Sequence, residues 1–506
     1  MKKRINSDIK SHLIRTASYM LLLGVAVCVI PLALAQRNTT KTKCRQARRP
    51  EQRINERGPA LPASIIVVTN TNDSGPGSLR NALAVANNGD EITFAIVGTI
   101  TLTSGELLVD KSIMISGPGA DNLAVDGDAK SRVFHIGPDV TVTLSDPTIT
   151  NGHACRDFGG GGIYNDHGTL TLKACTVSDN SAGVSGGGIY NNAGAGEAVL
   201  EVTDSTISGN SSKITGGGIS SEGTNGNAHL EIVNSTLDGN SADNGGGIFN
   251  TTGLIGNATL QINNTTLSEN SGMSLGGGIS NVRGFGGGAS VDLVGVIFKR
   301  GASGENIVNT SGTVTSLGYN LSDDDGSGYL TAPGDQINTD PMLGPLQDNS
   351  GPTFTHALLP GSPAIDTGDP NFTPPPLFDQ RGLGFDRVVN GRIDIGSFEV
   401  QAGGTPTPTP TATPSATPTA TPGTMQLRGQ KKKVNVMNTV RLNWKGATSL
   451  SIDVYRSDVL IATTPNAPPF LYTDFTGDTG RAQYTYRVCE AGTATCSNDL
   501  RVRFQE

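Results

Sequence analysis

The sequence has few aromatic residues, little charge and almost no long apolar runs. Aromatics make up 5% of the 506 residues, and tryptophan occurs once, at Trp444. A core filled by large rings is therefore excluded for most of the chain. Charged residues reach 16%, below the roughly one quarter of an ordinary domain. After residue 35 no stretch is apolar enough to span a bilayer. The six histidines, His12, His135, His153, His167, His229 and His356, are scattered, and neither they nor the six cysteines show metal-ligand spacing. Net basic charge is absent too: the formal charge is −8. An acidic body argues against nucleic-acid and anionic-membrane partners.

What the chain has instead is glycine, 67 residues of it, much of it in a repeat. Gly160-Gly161-Gly162-Ile163-Tyr164-Asn165 returns as GGGIYN at 186–191, GGGISS at 216–221, GGGIFN at 245–250 and GGGISN at 276–281. Between these phrases lies a second one, such as Leu200-Glu201-Val202 followed by Thr206-Ile207-Ser208-Gly209-Asn210-Ser211. Its asparagines, Asn180, Asn210, Asn240 and Asn270, are 30 residues apart. A period of that size marks a solenoid, in which each repeat buries its apolar face against its neighbours. Apolar residues alternate with polar ones at period two, with no helical spacing, so helical repeats fail, and the apolar register is too short for a leucine-rich repeat. The expected fold is all-β: a right-handed parallel β-helix plus a small C-terminal β-sandwich. About eight coils at about 4.8 Å each make a rod on the order of 40 Å long. The repeated Asn side chains should form a ladder at one corner, satisfying buried turn carbonyls. The Gly triplets suit a corner of positive φ or close backbone stacking.

Taken in order, residues 1–35 read as a secretory signal: Lys2, Lys3, Arg4, Lys10 and Arg15, an apolar stretch at 19–30, then Ala33-Leu34-Ala35 before Gln36. Residues 36–63 carry eight Lys/Arg and two Glu without apolar periodicity and read as a solvated leader. The β-helix is expected over 64–332. It opens with a strand at Ile65-Ile66-Val67-Val68 and a short helix capped by Ser78, with Leu79, Ala82, Leu83 and Ala86 on one face, to cover the open sheet edge. Two less regular coils follow before the glycine triplets.

The period breaks at 333–400, expected as a C-terminal cap. Gly351-Pro352-Thr353-Phe354, Ser362-Pro363-Ala364-Ile365-Asp366, Asp379-Gln380-Arg381-Gly382 and Asp394-Ile395-Gly396-Ser397-Phe398-Glu399 resemble the choice-of-anchor Q domain of bacterial surface proteins. That domain ends β-helices of the pectin-lyase-like class. Ser74-Gly75-Pro76-Gly77-Ser78-Leu79-Arg80 resembles the start of exported β-helix proteins with a CSLREA motif, although the Cys and Glu-Ala of that motif are missing. The glycine phrases are similar to repeats of chlamydial polymorphic outer membrane proteins. These resemblances imply a surface or secreted β-helix and no established chemistry. Residues 401–423 hold a Pro/Thr-rich linker, a semi-rigid spacer. Residues 424–506 alternate as strands, and Trp444 with Tyr484, Tyr486 and Val488 resembles a fibronectin type III domain. The resemblance implies Trp444 between the sheets; the competing reading makes it a sugar-stacking platform.

Candidate chemistry is sparse. Pectin-lyase-like helices often cleave acidic polysaccharides, which for hydrolysis takes carboxylates at a defined separation. Asp157 and Asp166, with His167, are the nearest such group, but matching positions in later coils are expected to hold Gly, Asn or Ser, as in a scaffold. Asp323 and Asp325, in Asp323-Asp324-Asp325-Gly326, could offer oxygens to calcium, against the plainer reading of a solvated turn; no other cofactor is expected. Asp366, Asp369, Asp379, Arg381, Asp394 and Glu399 read as a salt-bridge and turn network closing the last coil. Cys489 and Cys496 are expected to pair; Cys155 and Cys175 either pair with each other or do not. N-x-S/T at Asn210 and Asn234 falls in the repeat corners, where a ladder explains it better than glycosylation. The expectation is a non-catalytic secreted or surface protein contacting a glycan or protein, with a polysaccharide lyase or glycoside hydrolase as the alternative.

Overall fold

The computed structural model describes residues 64–155, 159–401, 426–434, 437–445, 451–457, 459–465, 471–475, 481–490 and 496–504. The expected signal peptide, basic leader and nearly all of the Pro/Thr linker lie outside the described residues. The chain divides into two units, parted between Pro406 and Thr407.

In the first unit the sequence period becomes a stack of parallel strands in register. Leu170 pairs with Leu200, then Leu230, Leu260 and Val291, and the next inward position runs Leu172, Val202, Ile232, Ile262, Leu293. A second sheet stacks Val177, Ile207, Leu237, Leu267 and Phe298. A third stacks Ile163, Ile189, Ile219, Ile248, Ile279 and Ile307. All of these are buried in one continuous cluster. Aliphatic side chains on three strands fill so narrow a cross-section, which accounts for the scarcity of aromatics. Among the described residues the third sheet has eight strands, from Leu107–Val109 to Ile307–Thr310, one per coil.

Each glycine triplet makes a corner. The first glycine has positive φ in every copy, for instance +61° at Gly186. The second lies against backbone of the next coil: a Cβ on Gly187 would stand 2.4 Å from the Ser211 carbonyl oxygen, so only glycine fits. At the N-terminal end the helix Leu79–Val85 has Ser78 as its cap and buries Leu79, Ala82 and Leu83. These join the solenoid core and cover its first coils.

Residues 333–338 meet the last coil, Gln336 bridging parallel to Leu321 and Asn338 N donating to the Asp324 carbonyl, and the residues that follow do more than close it. They return along the outer face of the second sheet. Thr206, Thr236 and Thr266 hold the same outward position in three successive coils. Thr206 Oγ1 donates to the Phe354 carbonyl at 2.6 Å, Thr236 Oγ1 to Gln380 Oε1 at 2.6 Å, and Thr266 Oγ1 accepts from Ser397 N at 3.2 Å. The next two residues of that column are Ile297 and Leu321, and they pack with Leu343, Leu358, Ala364, Ile395 and Phe398. The core end itself is met by Leu330. The charged residues of the segment form an internal network: Asp379 pairs with Arg381 at 2.6 Å, whose guanidinium lies between Phe385 and Phe398. The Asp394 carboxylate accepts from Asp366 N and Val400 N, and that of Glu399 from Val389 N and Asp394 N.

The second unit is a β-sandwich. Gln426–Val434, Met437–Lys445 and Leu471–Phe475 form one antiparallel sheet; Val459–Pro465, Ser451–Arg456, Ala482–Glu490 and Leu500–Phe504 form the other. Leu427, Val440, Leu442 and Trp444 from the first meet Ile452, Val454, Tyr486, Val488 and Phe504 from the second. Trp444 is thus core. Cys489 and Cys496 are joined by a disulfide. Among the described residues no helix is long and apolar enough to cross a membrane.

Candidate functional site on the third sheet

Outward positions of the third sheet carry short side chains in most coils and large polar ones near the N-terminal end. Register places His135, Tyr164, Tyr190, Ser220, Phe249 and Ser280 in one outward column. The column two residues further on runs Asp166, Asn192, Glu222, Thr251 and Val282. This corrects the expectation of Gly, Asn or Ser at the positions matching Asp166: Glu222, Thr251 and Val282 stand there, and the repeat breaks at this face.

The side chains form a connected cluster. Arg132, nearly buried, donates from Nη1 to Glu106 Oε2 at 2.7 Å and from Nε and Nη2 to the carbonyls of Gly160 and Gly159, both at 2.8 Å. Its guanidinium lies 4.8 Å from the centre of the Tyr164 ring. His135 stands between two carboxylates: Nδ1 is 3.2 Å from Glu106 Oε1, and Nε2 is 3.8 Å from Asp166 Oδ2. That Nε2 is buried without a hydrogen-bond partner. His167 Nε2 accepts from Ala195 N at 3.3 Å. The proton is thereby assigned to His167 Nδ1, which faces Asp166 Oδ1 at 2.5 Å. Tyr164 Oη donates to Asp166 Oδ1 at 3.1 Å and accepts from Asn192 Nδ2 at 2.9 Å. Tyr190 Oη donates to Glu222 Oε2 at 2.6 Å. The Tyr164 ring lies between those of His135 and Tyr190, with centroids 5.1 and 5.5 Å away.

The electrostatics follow from this packing. Burial alone would lower the His135 imidazole, but the neighbouring Asp166 and Glu106 carboxylates outweigh it and leave it above its ordinary value. Burial would raise Glu106 and Asp166, yet both are held below the usual carboxylate range, Glu106 by His135 and Arg132, Asp166 by His135, His167 and Tyr164. Burial and the charge of Asp166 push Tyr164 up to about 12. The two phenols are therefore hydrogen-bond donors and not bases near neutral pH. The face offers ionised carboxylates, phenol and amide groups and ring edges, a set suited to hydroxyl-rich ligands.

Of the residues singled out from the sequence, Asp166 and His167 belong to this cluster, while Asp157 lies outside the described residues. Glu106, Arg132, His135, Tyr164, Tyr190 and Glu222 were missed. The available signal was the variable letter of the GGGIxN phrase, Tyr in two copies and Ser or Phe in the rest. The corner ladder is present: Asn180, Asn210 and Asn240 each donate from Nδ2 to the Oδ1 of the next, at 2.9–3.0 Å, and to the carbonyls of Ile149, Val177 and Ile207. Asn270 closes the row on the Leu237 carbonyl. A second ladder, through Asn165 and Asn191 and again through Asn250, Asn281 and Asn309, runs inside the third sheet.

The alternative of a Cys155–Cys175 pair is corrected. Cys175 is a free thiol with its Sγ donating inward to the Leu144 carbonyl at 3.3 Å, and burial pushes it up to about 12. Cys155 is disulfide-bonded, and not to Cys175. Asp323 accepts from Arg300 N and Asn306 Nδ2 of the preceding coil, and Asp325 from Ser327 N within its own turn. Among the described residues no group of three or more His, Cys, Asp or Glu is arranged to hold a metal ion.

By its fold the first unit is a parallel β-solenoid with one chemically distinct outer face. Compared with models of protein families, with curated proteins and with solved structures, the chain matches none.

Proposed function

We propose that the chain is an exported, non-catalytic β-solenoid that contacts extracellular or cell-surface glycan through the outer face of its third sheet. One observation carries this reading: His135, Tyr164 and Tyr190 stack outward there, and Glu106, Asp166, Asn192 and Glu222 rim them with hydrogen-bonding groups. Rings with polar tips suit the mixed apolar and hydroxyl surface of sugars. The quoted likenesses to choice-of-anchor Q, polymorphic outer membrane and fibronectin type III sequences support a surface location. In this reading the Pro/Thr segment spaces the solenoid from the sandwich.

A second reading has one observation in its favour. Glu106 and Asp166 flank His135, an arrangement of acids and imidazole able to move a proton. It makes the chain a lyase or hydrolase of an acidic polysaccharide. The two are separated by assaying the purified full chain on polygalacturonate and alginate for retention and for new reducing ends or unsaturated products. Retention without turnover is expected. Turnover that is lost in Asp166→Asn would overturn the non-catalytic reading.

A further inference from the structure

Beyond the polar cluster, the third-sheet face changes character along the solenoid axis. The outward column of His135, Tyr164 and Tyr190 continues through Ser220, Phe249 and Ser280 to Val308. The column beside it passes from Asp166, Asn192 and Glu222 to Thr251 and Val282. In these later coils both borders of the face hold apolar side chains in solvent. Towards the first sheet, Leu254 is 51% exposed, Ile255 74% and Phe285 77%. On the opposite border Met273 is 76% exposed, and Ile214 and Leu275 are exposed with it. We propose that these tips insert into a lipid surface, so that the later coils of the third-sheet face dock against a membrane.

Local structure holds the tips out. Leu254, Ile255 and Phe285 lie on the turns that follow the strands Ile248–Thr252 and Ile279–Val282. The turns stack: Leu254 N donates to the Thr224 carbonyl at 2.8 Å and Phe285 N to the Gly253 carbonyl at 2.9 Å. Gly253, Gly256, Gly284 and Gly286 flank the three residues, so no adjacent side chain covers them. Met273 and Leu275 end the strand Thr266–Leu275. Leu275 continues the row of Ser185, Thr215 and Asn244, four residues before the third-sheet strand Ile279–Val282 begins.

Three features favour lipid over a protein partner. The tips are six side chains split between two borders, against roughly 20–30 residues a side in a standard protein interface. Cations accompany them: Lys213 adjoins Ile214, Arg283 lies two residues before Phe285, and both are exposed. The stretches 213–215, 253–256, 272–275 and 283–288 contain no Asp or Glu. Exposed apolar side chains with Lys or Arg alongside suit the boundary between head groups and acyl chains. The third feature is continuity with the polar cluster. Tyr190 stands two coils before Phe249, about 10 Å along the axis. Docking therefore brings the rings and carboxylates to head-group level, where a lipid-borne glycan is presented. That placement of the glycan rests on the proposed glycan contact; the insertion does not.

The test is co-sedimentation of the full chain with phosphatidylcholine vesicles, at low salt and in about 1 M salt, where the Debye length is about 3 Å. Binding that survives high salt is expected. It should fall at least about tenfold in Ile255→Ser/Phe285→Ser and stay unchanged in the first-sheet variant Glu201→Ala/Glu231→Ala. Equal urea midpoints should show that both variants fold as the parent does. No binding, or equal binding by Ile255→Ser/Phe285→Ser, would overturn the proposal. Binding confined to phosphatidylglycerol vesicles and released by salt would overturn it too. So would a lipid-free dimer lost in Ile255→Ser/Phe285→Ser, which would assign the tips to a second copy of the chain. Glycan retention without vesicle binding would refute the insertion and leave the glycan contact standing. Vesicle binding without glycan retention would support the insertion and refute the glycan contact.

Discussion

Asn210 shows how much one polar side chain supports. Its Oδ1 accepts from both the backbone and the side-chain nitrogen of Asn180, and its Nδ2 donates to the Val177 carbonyl and to Asn240 Oδ1. It is fully buried, so water cannot replace it. Asn210→Ala removes four buried hydrogen bonds, and a loss of about 2–3 kcal/mol is expected, measured as a lower urea midpoint with an unchanged slope. A loss under about 0.5 kcal/mol would show that the ladder is ornamental. The ladder was legible because its members recur every 30 residues. The third-sheet cluster was not: Glu106 and Arg132 sit in coils before the strict repeat, and Glu106, His135 and Asp166 come together only through strand register. Position along the chain marks Asp166 and His167 as neighbours but gives no reason to place His135 against them.

Among the elements, the strands were legible and the path of the final segment was not. Alternation at period two predicts which of Leu230, Glu231 and Ile232 faces inward, and Leu230 lies between Leu200 and Leu260. Leu230→Asp puts a carboxylate among aliphatic neighbours, and a destabilisation above about 3 kcal/mol is expected by denaturant titration; a soluble variant of equal stability would refute the inward face. Residues 333–400 have no period, and Thr236 meets Gln380 across 144 residues, so nothing local in the sequence announces that contact. This segment should respond to pH. Burial raises Asp394 to about 6, with the Asp366 carboxylate adding to it, and Glu399 to about 8, with the Asp394 carboxylate adding to it. Folded values above the unfolded ones mean that the folded form holds its protons more tightly. Their contribution is full below about pH 4 and is lost as pH rises through about 6 to 8. Hydrogen-exchange protection at Gly396 N and Ser397 N, bonded to Gly295 O and Thr266 Oγ1, should fall between pH 5 and 9 relative to protection at Leu230. In Glu399→Gln most of that fall should disappear. Protection that rises with pH would contradict the account.

At the scale of the whole molecule, repetition and its interruption are the argument. Identical coils give a solenoid whose sides are nearly equivalent, and most outward positions are short or polar. The first sheet presents Thr171, Glu201, Glu231, Gln261 and Asp292; the second is covered in its later coils by residues 333–400. Among the described residues only the third combines stacked rings with carboxylates in hydrogen-bond contact. If the molecule contacts glycan there, changes on that face and not on the first should abolish contact. The direct measurement is a glycan-array profile of the full chain beside two variants, Tyr190→Ala/Asp166→Asn on the third sheet and Glu201→Ala/Glu231→Ala on the first. The account predicts a defined set of retained glycans, lost at least about tenfold in the third-sheet variant and kept in the first-sheet variant. No retained glycan, or equal loss in both variants, would contradict it.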